Sequence, residues 1–186
     1  MNQRKKLNIT IIGCGRWGSF IGWYLDKIGH HVTLYGLSNA ETFRQLLTER
    51  KNDYITLTDT ISLTTEIKTT LDADVIIISV NSQSLRSVCA QLKEINLKDK
   101  IIVLCMKGIE IESGKRLSEI VEEIVDPSNK DAVWIGPGHV QSFYQGIPNC
   151  MVIDSNNRAT KEYIISNFSS DLIRFYYGND LIGNEI

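Results

Sequence analysis

The 186 residues predict an α/β fold: a doubly wound, mainly parallel sheet with helices on both faces. Three observations carry this expectation. Strand-length apolar runs alternate with helix-like segments along the whole chain. The run at 73–80, "ADVIIISV", carries an unbroken β-branched stretch, "VIII", as a strand covered on both faces requires. A glycine-rich turn, "GCGRWG", joins the first such run to the first helix-like segment. Right-handed crossovers between parallel strands then distribute the helices to both sides.

The elements follow in order. Residues 7–12, "LNITII", form the first strand. Apolar Trp17, Phe20, Ile21, Tyr24, Leu25 and Ile28 recur at helical spacing, and Gly29 supplies a helix stop. Residues 31–35 form the second strand and 40–50 the second helix. The Thr-rich stretch 52–67 is irregular and holds short strands or an extended connection. A buried strand at 73–80, a helix at 84–93 and another buried strand at 100–106 come next. A helix at 113–125 ends at "DPSN". "AVWIG" and "NCMVID" are two further strands, 160–168 is a helix, and "IRFYY" is the last strand. There is no internal repeat, low-complexity tract or linker, so 1–186 is read as one domain.

Apolar content of 42% and charged content of 23% are ordinary for a globular chain. A net charge of −2 leaves no electrostatic footprint for nucleic acid or an anionic membrane. The basic start, "NQRKKLN", is read as a solvated tail. No apolar stretch approaches the ~20 residues of a membrane span, and no signal-peptide pattern stands at the N-terminus. Cys14, Cys89, Cys105 and Cys150 are scattered without metal-ligand spacing, so no metal is expected. Reduced thiols in a cytoplasmic protein are the natural reading.

The glycine turn has a chemical meaning in this context. Gly13, Gly15 and Gly18 fit G-x-G-x-x-G between a strand and a helix, the Rossmann-type dinucleotide fingerprint. Gly13 allows the tight turn, Gly15 lets backbone approach a pyrophosphate, and Gly18 lets helix and strand close together. Free N–H groups at the helix start then meet the negative charge. Arg16 and Trp17 lie inside the turn and are candidate cofactor contacts, with core packing the alternative for Trp17. About 20 residues on, such folds often place an acid for the adenosine ribose. Here "LYGLSNAE" has none at the strand end; Glu41 comes later and Arg44 is on the helix. Ser38 and Asn39 can bond a ribose hydroxyl or a phosphate, and NAD against NADP stays open.

Other candidates stand at strand ends, where open parallel sheets bind ligands. Asn81 and Ser82 follow the buried strand and line a cofactor or cap the next helix. Lys107-Gly108 closes the next strand; its ammonium can polarise a carbonyl or neutralise a phosphate, with a snorkelling surface lysine the alternative. "WIGPGHVQSF" brings Gly136, Pro137 and Gly138 to a third strand end. Val140 in that loop is counted among the cofactor contacts. His139 is read as a surface residue, and His30 and His31 as inert.

Together these motifs resemble the N-terminal domain of bacterial NAD(P)-dependent glycerol-3-phosphate dehydrogenase. The carrying segments are "GCGRWGSFIGWYLDKIGHHVTLYG", "ADVIIISVNSQSLRSV", "CMKGIEIESGKRLSEIV", "WIGPGHVQSF" with "GIPNCMVIDS", and "YYGNDLIGNEI". The Lys-Gly-Ile-Glu piece is the most specific. The resemblance implies hydride exchange between a nicotinamide and C2 of dihydroxyacetone phosphate, giving sn-glycerol 3-phosphate, with NAD or NADP as cofactor. It implies that Lys107 binds the phosphorylated substrate and assists its polarisation. The family's proton-donating lysine and its helical substrate domain have no match in 1–186, so the chain is expected to be a catalytically incomplete cofactor domain. The family usually has proline where Asn81 stands, Phe-Ala-x-Glu where residues 139–142 stand, and often an arginine near Leu37. Two other readings stay open: the cofactor domain of a hydroxy-acid or ketopantoate-type dehydrogenase, and a non-catalytic nucleotide-binding redox sensor. Self-association as a homodimer through the apolar segment 175–186 is a further expectation.

Overall fold

The computed structural model describes residues 5–186; the first part of the basic segment read as a solvated tail lies outside them. One sheet has eight strands in the order β3-β2-β1-β4-β5-β6-β7-β8. They are β1 (Asn8–Ile12), β2 (His31–Tyr35), β3 (Ser62–Thr64), β4 (Val75–Ile78), β5 (Ile101–Leu104), β6 (Lys130–Ile135), β7 (Asn149–Asp154) and β8 (Ile173–Tyr177). Neighbours run parallel except β6 and β7, which are antiparallel. The chain reverses its direction of winding between β1 and β4, which opens a crevice beyond the carboxyl ends of those strands.

The helices are α1 (Arg16–Lys27), α2 (Glu41–Glu49), α3 (Leu85–Glu94), α4 (Leu117–Ile124), α5 (Val140–Tyr144), α6 (Arg158–Phe168) and α7 (Leu181–Glu185). Phe20, Phe43, Phe143 and Phe168 bring α1, α2, α5 and α6 onto one face of the sheet. Leu85, Leu117 and Leu181 bring α3, α4 and α7 onto the other. Strand β4 shows why its sequence is apolar throughout. Val75 and Ile77 face the first cluster, Ile76 and Ile78 the second, and all four are fully buried.

The boundaries differ from expectation in instructive places. The helix expected from 113 begins at Leu117, because 107–116 folds into a loop closed by an Ile109–Arg116 bridge and a Glu110 N–H to Lys115 carbonyl bond. The helix expected from 160 begins at Arg158, because the Asn157 side chain caps it by accepting from the Thr160 N–H. Residues 140–144, expected as part of a loop, make the short helix α5. His30 is a buried structural residue. Its Nδ1 accepts the Leu7 N–H at 3.2 Å, which leaves Nε2–H to donate to the Asn167 carbonyl at 3.0 Å.

Candidate functional site

Two cavities flank the glycine turn at the crevice. The first, about 480 Å³, lies between β1, β2 and α3 and is lined by Gly13, Tyr35, Leu37, Thr42, Val80 and Gln83 among others. Among the described residues no charged side chain lines it. The second, about 380 Å³, lies beyond the ends of β4, β5 and β6, with Trp17, Ser79, Met106, Lys107, Gly136 and Met151 in its wall. Among the described residues Lys107 is the one charged side chain there. The glycine turn sits where the two meet.

Each glycine of the turn answers to a different constraint. Gly13 has φ +107°, and a Cβ there would lie 2.2 Å from the Ser79 carbonyl oxygen. A Cβ on Gly18 would lie 1.9 Å from the Gly13 carbonyl oxygen, so α1 could not close on the turn. Gly15 is different: its backbone is ordinary extended, with φ −72°, and a Cβ there would meet nothing within 4 Å. Packing explains two of the three glycines and leaves Gly15 without a structural reason. Gly15 is also the N-cap of α1, which has no side-chain cap and no acid in its first turn. The first-turn N–H groups therefore remain for an anion.

The other expected residues are placed as follows. Lys107 is exposed at the crevice, its Nζ donating to the Ile186 carbonyl at 2.9 Å. Trp17 lines the second cavity and also packs on Phe20 and Phe143, with ring centroids at 5.5 and 6.5 Å. Arg16 is exposed, bonded to Gln141 and set 5.2 Å over the Tyr54 ring. Ser38 and Asn39 are exposed in the turn after β2, while Leu37 and Ala40 line the cavity beside them. Asn81 caps the 3-10 turn at 82–84 by accepting the Gln83 N–H at 2.9 Å, and Ser82 Oγ accepts from the Gln83 amide at 3.1 Å. Val140 is buried in the core at the start of α5. His139 is exposed at the N-cap of α5.

Sequence reasoning missed Ser79, Val80 and Gln83 as cavity wall. The signal was available for the first two, which directly follow β4 and so stand at the ligand end of the sheet. It also missed what holds the Lys107 loop. Glu110, 5% exposed, takes both Arg86 Nε and Nη2 at 2.8 Å and also the Ser113 hydroxyl. Those hydrogen bonds, Arg86's first, hold the Glu110 carboxyl down at about 2. Gln83 completes the clamp, donating to the Ile109 carbonyl and accepting the Ile111 N–H. Burial pushes the Cys14 thiol up to about 12 and also raises Cys105, which borders the second cavity, so neither is poised as a nucleophile. Among the described residues no group of His, Cys, Asp and Glu is arranged to hold a metal.

Fold and site define a Rossmann-type α/β domain of the dinucleotide-binding class, read from strand order, the glycine turn and the crevice together. The comparisons with known proteins are more specific. Residues 8–161 match the family model described as NAD-dependent glycerol-3-phosphate dehydrogenase N-terminus, and the chain belongs to that family. It is 31% identical over 184 residues to a glycerol-3-phosphate dehydrogenase [NAD(P)+] of Thermoanaerobacter sp. (strain X514), covering 97% of this chain and 55% of the relative. It is 35% identical over 182 residues to the same enzyme of Wolbachia sp. subsp. Drosophila simulans (strain wRi), covering 96% and 55%. The crystal structure of glycerol-3-phosphate dehydrogenase from Coxiella burnetii shares the fold, with TM-score 0.87, 24% identity, and coverage of 97% of this chain and 56% of that one. The chain thus spans about half the length of the curated relatives it matches.

Proposed function

We propose that this chain is the NAD(P)-binding half of an oxidoreductase that interconverts sn-glycerol 3-phosphate and dihydroxyacetone phosphate. The observation that carries the reading is Gly15, bare of a side chain at a helix start where nothing in the protein would touch one. A pyrophosphate lying on the α1 N-terminus would occupy that space. The apolar first cavity suits an adenosine moiety, and the second, with Lys107, suits the nicotinamide and substrate end. Bound there, the nicotinamide supplies the hydride. Trp17, Ser79 and Met151 supply the cavity wall, and the Lys107 ammonium draws electron density from a carbonyl oxygen or pairs with a phosphate. In the uncharged first cavity, nothing in the wall separates a ribose hydroxyl from a 2′-phosphate, so both NAD and NADP are cofactors of this reading.

The rest of the reading concerns the whole protein. In this reading the chain is one cofactor-binding domain, and the substrate domain would lie in the part of the relatives' length that this chain does not span. A cytoplasmic setting accords with four free cysteines. Among the described residues no helix is long and apolar enough to cross a membrane. Tyr176, Tyr177 and Ile182, all more than half exposed, favour a homodimer through 175–186. Sedimentation velocity across concentrations should show a rising mass; a monomer throughout would remove that part.

The central test is Gly15→Ala. Its thermal midpoint should stay within about 2 °C of the native chain, since no contact is lost and the backbone suits alanine. NADH affinity, read by fluorescence titration, should weaken by about tenfold or more, roughly 1.4 kcal/mol. Unchanged affinity for both NADH and NADPH would refute the site.

A further inference from the structure

The end of α7 meets the Lys107 turn through Glu185 and the carbonyl that follows it. Glu185 is fully buried. Its carboxylate accepts the Ser118 N–H at 2.7 Å, the Ser118 hydroxyl at 2.8 Å and Arg116 Nη1 at 2.6 Å. Its main-chain carbonyl accepts the Gly108 N–H at 2.8 Å. Gly108 has φ +121°, a conformation that favours glycine. The next carbonyl, that of Ile186, accepts Lys107 Nζ at 2.9 Å. One residue is therefore bonded through its side chain to the start of α4 and through its main chain to the neighbour of Lys107.

The arrangement is costly as mere filling. A buried carboxylate needs full pairing, and a leucine could occupy similar volume without it. Here Arg116 supplies the opposite charge, and the N-terminus of α4 supplies an N–H and a favourable dipole. Three directional bonds fix the carboxylate in one position, and with it the carbonyl that the Gly108 N–H requires. Arg86, Glu110 and Gln83 hold the far part of the loop. Glu185 reaches the residue next to the ammonium, Gly108.

We propose that Glu185 is a positioning residue for Lys107, holding the 107–108 turn at the crevice through Arg116 and Ser118. This deepens the function proposed above and rests on its reading of Lys107 as the cation that faces the substrate. Glu185 touches neither cofactor nor substrate in this scheme; it fixes where the ammonium stands.

The test is competitive acetylation of the folded 186-residue chain, with each lysine quantified by mass spectrometry, in the native form and in Glu185→Gln. Labelling of Lys107 should rise roughly threefold or more in the variant, and amide exchange of 107–116 should quicken with it, because the turn opens locally. Lys98 and Lys161, bonded elsewhere, should label as before. A purely structural role would lower thermal stability without singling out Lys107. Should Glu185→Gln lose helix content, Ser118→Ala, which deletes one of the three bonds, is read instead with a smaller rise. Labelling and exchange unchanged in a folded variant would overturn the proposal. A separate arm adds NADH with dihydroxyacetone phosphate to the native chain. Failure of these to protect Lys107 would strike the functional reading of that lysine and leave the Glu185 result standing.

Discussion

Gly15 and Gly18 stand three residues apart and would respond oppositely to the same substitution. A methyl at Gly18 would run into the Gly13 carbonyl oxygen, a backbone atom that cannot rotate away. Gly18→Ala should therefore cost about 3 kcal/mol or more and lower the thermal midpoint by many degrees in a melting scan. Gly15→Ala should leave that midpoint in place. Asp131, on β6, makes a second residue-scale case. Burial first, then the Glu122 charge, raises its carboxyl to about 6, and its Oδ2 is buried without a partner. A carboxyl whose folded value lies above its unfolded one favours the fold below the unfolded value, and that contribution is lost as pH rises through the folded value. The native chain should thus lose stability between pH 4 and pH 7. Asp131→Asn should flatten that slope, standing about 1–2 kcal/mol above native at pH 8 by urea unfolding and level with it near pH 4.

The loop 107–116 is the element on which the site's geometry depends, and its clamp is electrostatic. Glu110 has a folded value near 2 against 4.5, so its stabilising effect is complete above pH 4.5 and disappears as pH falls toward 2. The gap in thermal midpoint between the native chain and Arg86→Met should be widest near neutrality and narrow through that window. A gap constant from pH 7 to pH 2.5 would show that the pair does not hold the loop. The sequence hides this clamp because its partners are far apart. Arg86 lies 24 residues before Glu110, and the helix expected from 113 starts late because the loop closes on itself through the Ile109–Arg116 bridge and the Glu110–Lys115 bond. The antiparallel turn of β7 was hidden for a related reason: a buried strand has the same composition whichever way it runs. Strand β4 and the glycine turn were legible because their constraints are local, one a run of β-branched residues, the other a fixed spacing. Asn81 shows the limit of position alone. It stands at the ligand end of β4, yet its side-chain oxygen is spent on the Gln83 N–H.

At the scale of the molecule, the sheet gathers Lys107, the one charged side chain among the described residues there, into the cavity where the reading places hydride transfer. Reduction of a carbonyl needs both a group that holds the oxygen and a group that delivers a proton. Lys107 can be committed to one of these, and its Nζ already bonds a main-chain carbonyl beside the crevice. Ser79, Trp17 and Met151 offer no replacement acid in the cavity wall. Binding and turnover should therefore separate in this chain. In the proposed reading the NADH site runs along the glycine turn through both cavities, from β2 to the ends of β5 and β6, so the titrated Kd should lie within about threefold of a full-length relative's, as rigid, preformed sites retain their contacts. A positioned acid contributes about 10²–10⁴ in rate. NADH oxidation with dihydroxyacetone phosphate should accordingly fall at least about a hundredfold below that relative, measured by absorbance at matched protein concentration. Turnover near the relative's would mean that a second proton donor stands within these 186 residues. Lys107 would then no longer be the cation around which the chemistry is built.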